Sequence, residues 1–260
     1  MISKLFRKSR QNSMAESRIG RYLLYAVGEI ILVVIGIIIA VQINGWVNNA
    51  RLKSSNKVYL EKMIGELELN KIRMEKLISY EPTPDDPFIG LEEAVQHCDS
   101  ILKLTYQGLD ESGIQYMLTH SMTAGGSFLN LHTSVYDELI NTGRLYTIGS
   151  DSLETAIKDY YLRCEREDQY NRVNTENMGE SLDLIRRTYF KLAQDYYRDS
   201  VHFDLSHYPW IYDQRSPEYQ DLQLAIGGVR AAQSQNLFKM KQIIQYSDSL
   251  IVIIEKELKE

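Results

Sequence analysis

The chain has 260 residues, 44% of them hydrophobic and 25% charged, with only 5 prolines and a mean hydropathy of -0.31. That composition excludes a disordered, low-complexity or collagen-like polymer. The formal net charge is -6, but it is unevenly spread. Residues 1 to 21 hold Lys4, Arg7, Lys8, Arg10, Arg18 and Arg21 against Glu16 alone, a basic arm of +5; the apolar run that follows adds only Glu29, so residues 47 to 260 carry -10. An acidic part of that size argues against nucleic acid as a partner.

From Tyr22 to Val41 there are 20 residues with a single charge. At about 1.5 Å rise per residue they span about 30 Å, the thickness of a bilayer core, and predict one transmembrane helix. A cleaved signal peptide would have a shorter apolar region, about 7 to 15 residues, and a small-x-small site after it; Ala40-Val41-Gln42 fits poorly. Bases flanking a first span stay in the cytoplasm, so the arm is expected inside and residues 47 to 260 on the periplasmic side of the inner membrane. Arg51, Lys53 and Lys57 follow the span but are fewer. Tyr22, Tyr25 and Trp46 lie near its ends, where amphipathic rings favour the headgroup layer. Three parts result: arm 1–21, membrane helix with its interfacial end 22–46, and an outer domain 47–260.

Glu29 lies seven residues into the span, about 10 Å deep, where an unpartnered carboxylate costs at least a few kcal/mol. One reading makes it a proton-relay or partner-contact residue in a transport or energy-coupled complex. The other makes it a neutral carboxyl hydrogen-bonded within a homo-oligomer, with Gly28, Gly36 and Ala40 letting a second helix approach.

The run Tyr22-Leu23-Leu24-Tyr25-Ala26-Val27-Gly28-Glu29-Ile30-Ile31-Leu32-Val33-Val34-Ile35-Gly36, closing on Gln42-Ile43-Asn44-Gly45-Trp46 after the basic Phe6-Arg7-Lys8-Ser9-Arg10, resembles the N-terminal signature of a Bacteroidota family of single-pass membrane proteins, a domain of unknown function. Thr133-Ser134-Val135-Tyr136-Asp137-Glu138-Leu139-Ile140-Asn141-Thr142-Gly143-Arg144-Leu145, followed by Ile157-Lys158-Asp159-Tyr160-Tyr161, extends the resemblance over most of the chain. Gly45 stands where the family pattern has Asn. The resemblance implies an inner-membrane anchor and supplies no catalytic residues.

Beyond the span, Leu60, Ile64, Leu67, Met74 and Ile78 form an apolar stripe broken at Lys71, so the first helix is expected to continue until Pro82, Pro84 and Pro87 end it. Leu91, Ala94, Val95, Cys98, Ile101 and Leu102 mark a second helix closing near Gly108. Short elements follow: a helical piece over 114–118, a hinge at Ala124-Gly125-Gly126-Ser127, and a helix from Ser134 that Gly143 ends. Asp151 with Glu154 signals the cap of a long helix bearing Leu153, Ile157, Tyr160 and Cys164. The stripe resumes as Met178, Leu182, Ile185, Tyr189, Leu192 and Tyr196, leaving 165–177 as loop or solvated helix. After an aromatic turn, Tyr208 to Tyr212, the last helix carries Leu237, Met240, Ile244, Ile251, Ile254 and Leu258. With no strand-length alternation, the fold is expected to be all-α: a transmembrane helix followed by an antiparallel helical bundle with short accessory helices.

Sites are sparse. Cys98 and Cys164 could close a disulfide outside the cytoplasm, yet both fall on apolar faces, where free buried thiols are common. His202, Asp204 and His207 offer zinc-type ligands, but in a turn region their spacing imposes no shared face, so neither metal nor cofactor is assigned. The 18 tyrosines suit either a core edge or an interface. With no convergent catalytic constellation, the sequence reads as a membrane-anchored interaction, scaffold or accessory protein whose partners are the bilayer and another protein or a second copy. Ligand sensing by the bundle and a periplasmic hydrolase or metal-binding protein are the further alternatives.

Overall fold

The computed structural model describes residues 3–83, 88–125 and 128–259, with side chains from Tyr22 onward. Among the described residues the chain is all-α: helices α1 (Ser3–Ile78), α2 (Leu91–Gln107), α3 (Glu111–Thr119), α4 (Ser134–Asn141), α5 (Asp151–Thr188), α6 (Phe190–Arg198) and α7 (Pro217–Glu257), joined by short 3-10 turns. An isolated parallel bridge pairs Ile89 with Ala124. The chain divides into two units, Met1–Val58 and Tyr59–Glu260.

In the first unit the apolar side chains from Tyr22 to Val47 are exposed along the whole run. This helix is long and apolar enough to cross a membrane. The basic arm is helical from Ser3.

The second unit is a bundle. Its helices stop where the residues demand it: Gly108 takes φ +92° after α2, and Gly143 takes φ +68° after α4, a conformation that side-chain-bearing residues adopt only at a cost. Gly90, ahead of α2, fits because a Cβ there would stand 2.5 Å from the Ile78 carbonyl oxygen. Asp110 caps α3, accepting from the Gly113 amide at 2.7 Å and the Ser112 hydroxyl at 2.8 Å. The cap of α5 is Ser150, one residue before the expected Asp151. Ser150 also ties the bundle end, its amide and hydroxyl donating to the two Glu257 carboxylate oxygens at 2.9 and 2.7 Å.

The segment 165–177, open between loop and helix, is helical, and α5 runs through it unbroken. It turns Glu167 and Asn171 inward and keeps exposed pairs such as Arg172 with Asp168, 2.8 Å apart, one turn from each other. α5 and α7 then lie antiparallel, with Tyr160 facing Ser247, Glu167 facing Lys239, and Asn174 facing Asn236. The stripe ending in Tyr196 is interrupted once, at Tyr189, where α5 gives way to α6.

Two apolar cores lie along this pair. One joins the end of α1, α4, the first half of α5 and the second half of α7, around Met63, Leu67, Leu139, Leu153 and Met240. The other joins α2, α3, α6 and the first half of α7, around Ile101, Ile114, Leu192, Tyr219 and Leu222. Between them runs a buried polar layer of Glu167 and Asn171 from α5 with Gln233 and Asn236 from α7. Gln233 is well used: its Oε1 accepts from the Ala124 amide at 2.9 Å, and its Nε2 donates to the Met122 carbonyl at 2.9 Å. Glu167 is 1% exposed yet ion-paired with Lys239 at 2.8 Å and Arg166 at 2.7 Å. Burial pushes its carboxyl up, but the two cations outweigh this and hold it below the usual carboxylate range. Asn171 is different, since both polar atoms of its buried amide lack a partner.

Candidate functional site

The bundle's most organised polar feature begins on α1. Glu66, Asn70 and Arg73 are spaced 4 and 3 residues apart and so share one face of a helix. They bind in reverse order along the segment 128–135. Arg73 donates to the carbonyls of Leu129 and, at 2.9 Å, Phe128. Asn70 grips both backbone groups of His132, accepting from its amide at 2.7 Å and donating to its carbonyl at 3.0 Å. Glu66 accepts from the Val135 amide at 2.7 Å and the Ser134 hydroxyl at 2.9 Å, placing a carboxylate at the start of α4, where exposed amides and the helix dipole favour it. The strap thus held contains Asn130 at φ +43°, a left-handed backbone that asparagine tolerates better than most residues.

Glu66 also accepts from the buried Tyr161 hydroxyl. Burial and then the adjacent carboxylate drive the Tyr161 phenol far above its ordinary range, so it stays a donor. The Tyr161 ring stacks on Tyr136 with centroids 4.0 Å apart and planes 8° apart. Strap, α4 and α5 enclose a cleft of about 370 Å³ lined by these rings with Asp137, Glu165, Asp168 and Arg172. Tyr161, Glu165, Asp168 and Arg172 follow at 4-3-4 spacing, one face of α5. Leu131, Leu162 and Cys164 add apolar surface. Asp137 accepts from the Thr133 hydroxyl at 2.8 Å, and Arg172 pairs with Asp168 while lying over the Phe128 ring, 5.8 Å from its centroid. The cleft is acidic overall, aromatic on one wall, and rigidly backed.

Of the candidate site residues singled out in the sequence, Cys164 borders this cleft and the others lie elsewhere. Glu29 is exposed on α1, and nothing lies within 4 Å of a Cβ at Gly28 or Gly36. At about 100° per residue, Glu29, Gly36 and Ala40 fall within about 40° of one another, whereas Gly28 lies about 80° or more away. Cys98 and Cys164 are both free and buried, and they belong to different cores. Burial pushes each thiol up to about 12. His202 bonds Asp199 at 2.8 Å, and Asp204 caps the turn that contains His207 by accepting from the Ser206 amide. Among the described residues no group of three His, Cys, Asp or Glu side chains is set to hold a metal ion. Of the glycine hinge, Gly126 and Ser127 lie outside the described residues. Gly125 is held by the hydrogen bond its amide donates to the Ile89 carbonyl at 3.2 Å, and a Cβ there would come within 2.6 Å of Phe88.

Glu66, Asn70 and Arg73 were not singled out in the sequence, and the signal for them is partial. The inward face of α1 is Leu60, Met63, Glu66, Leu67, Asn70, Met74 and Ile78, so the stripe is broken at Asn70 as well as at the expected Lys71. Lys71 instead reaches Asp248 at 2.7 Å. Polar residues in register with an apolar stripe mark buried partners, but their targets, 55 to 69 residues away, carry no pattern that names them.

No family model, curated protein or solved structure matches this chain.

Proposed function

We propose that the protein is anchored in the inner membrane by the Tyr22–Val41 span, with its helical domain on the periplasmic side, and acts there as a scaffold or accessory subunit. The observation that carries this reading is the unbroken exposure of apolar side chains along that run, a surface that water does not tolerate and a bilayer does. The basic arm supports a cytoplasmic N-terminus, and the family resemblance of the span and of the Thr133–Leu145 stretch supports the same placement. The face shared by Glu29, Gly36 and Ala40 fits contact with a second membrane helix, either a copy of this chain or a subunit of a membrane complex.

The test is fractionation followed by purification of the full-length chain in mild detergent at native expression, with mass spectrometry of what accompanies it. The reading expects the protein to resist alkaline carbonate extraction and to bring down a defined stoichiometric partner or a second copy. Recovery in the soluble fraction overturns the anchor. Recovery as a lone monomer overturns the scaffold.

A second reading is favoured by the cleft: the outer domain recognises a small ligand. A preformed concavity with a few fixed polar groups is the usual form of such a site, and the strap bonds from α1 hold this one open in the chain alone.

A further inference from the structure

We propose that the cleft between the 128–133 strap, α4 and α5 binds an organic cation carrying protonated amines on an apolar stem. The inference rests on the ligand-recognising reading and names its chemical class.

Volume comes first. A cleft of about 370 Å³ lies at the small end of the roughly 300 to 1,000 Å³ typical of ligand sites, which suits a small molecule better than a folded partner. Charge decides the sign. Three carboxylates, Asp137, Glu165 and Asp168, line it against one cation, Arg172, and that cation is already held by Asp168. Asp137 is engaged by a neutral hydroxyl and Glu165 is exposed, so two carboxylates face the space without a cation bonded to them. An anion placed there would meet them with only a committed guanidinium in return.

Shape then separates a bare ion from a molecule. The acids are spread along one face of α5 and the start of α4, and no three of the described residues converge as metal ligands. Divalent cations need several oxygens gathered at 2.0 to 2.6 Å or so, whereas amines separated along a methylene chain match spaced acids and bury the chain on Leu131 and Leu162. The aromatic wall adds in the same direction. Tyrosine rings attract ammonium groups by their quadrupole, and the Tyr136 ring is fixed in place by its stack on Tyr161, which Glu66 in turn holds. The acids are thus joined by two features that do not depend on them, an apolar concavity and a locked aromatic pair.

The experiment is isothermal titration of the full-length protein in detergent with spermidine, alongside magnesium chloride and sodium glutarate. Saturable one-to-one binding of spermidine is expected, with Glu165→Gln and Asp137→Asn each weakening it at least about tenfold, and Tyr136→Leu weakening it several-fold. Asp183→Asn removes the same charge about 27 Å along α5 from Glu165 and is expected to match the parent. Equal loss in Asp183→Asn overturns the proposal in favour of diffuse attraction. So does tighter binding of magnesium, or no saturable spermidine binding in a chain whose melting temperature is unchanged. The wider reading is tested separately by Leu162→Trp, which sets a bulky ring on the cleft lining. If the parent retains a neutral or anionic small molecule that Leu162→Trp loses, the ammonium class fails and ligand recognition stands; identical small-molecule content in both overturns recognition itself.

Discussion

Glu66 joins three elements through one side chain, linking α1 to α4 and α5. It accepts from the Val135 amide in the first turn of α4, the Ser134 hydroxyl and the Tyr161 phenol, and it is 4% exposed. Removing it leaves the buried Tyr161 hydroxyl and the half-buried Val135 amide without their acceptor, and each such orphan costs up to about 1 to 3 kcal/mol. Glu66→Ala is expected to lower unfolding free energy by about 2 to 4 kcal/mol in denaturant titrations, and to speed hydrogen exchange at Val135. Glu167 responds to pH in a defined direction. Its carboxyl titrates lower in the folded chain than in the unfolded one, so its contribution is complete above the ordinary glutamate value of about 4.3 and is lost as pH falls through the folded value. Glu167→Gln is therefore expected to lower the melting temperature at pH 7 and to flatten its decline between about pH 5 and 3. At the two cysteines, thiols pushed up to about 12 by burial hold almost no thiolate at neutral pH. Alkylation with iodoacetamide should label neither in the native chain and both after denaturation, without prior reduction; a requirement for reductant would reveal a disulfide and refute the free-thiol arrangement.

At the scale of elements, α5 and α7 meet through a polar layer that an all-apolar seam would not have. Asn171 contributes two polar atoms there with no partner among the described residues, an arrangement that costs about 1 to 3 kcal/mol. Asn171→Leu keeps the number and branching of heavy atoms while removing the polar pair, and is expected to raise the melting temperature by several degrees, read by circular dichroism, at about 2 to 4 °C per kcal/mol for a domain this size. A fall instead would show that the amide is hydrogen-bonded in solution. This layer also explains where the sequence was opaque. Glu165 to Asn177 is polar on both the buried and the exposed sides, so the periodicity that announces α2, α4 and α7 disappears although the helix does not. The ends marked by Gly108 and Gly143 and the cap of α5 were legible to within a residue because such signals act locally. The strap was not, because what Asn70 or Arg73 binds is decided by tertiary placement of backbone groups that any residue supplies. The cleft was not legible either: Glu165, Asp168 and Arg172 fall in the segment whose helicity the sequence left open, and only the fold sets Tyr136 and Asp137 against them.

For the bundle as a whole, two cores and a polar waist pose a question of cooperativity. α7 passes through both cores and α5 through the first and up to the second, so neither core can lose its helices without exposing the other. One transition is therefore expected for Tyr59–Glu260. Leu145→Ala in one core and Leu192→Ala in the other, each costing about 2 to 5 kcal/mol, should shift a single calorimetric peak rather than split it. Two peaks, each answering to one substitution, would show the waist to be a boundary between separately folding halves.

The same arrangement bears on how the chain is made. The apolar face of α1, with Met63, Leu67 and Met74, closes against residues of α5 and α7 as late as Ile254. At about 5 to 20 residues per second, some 9 to 35 seconds pass between synthesis of Ile78 and of Ile254. Throughout that interval the end of α1 stands as an unsatisfied amphipathic helix, Glu66 and Asn70 included. The strap residues arrive partway through and give it polar partners first, so the hydrogen bonds that shape the cleft can also serve as the earliest hold on a helix whose apolar partners have not yet been translated.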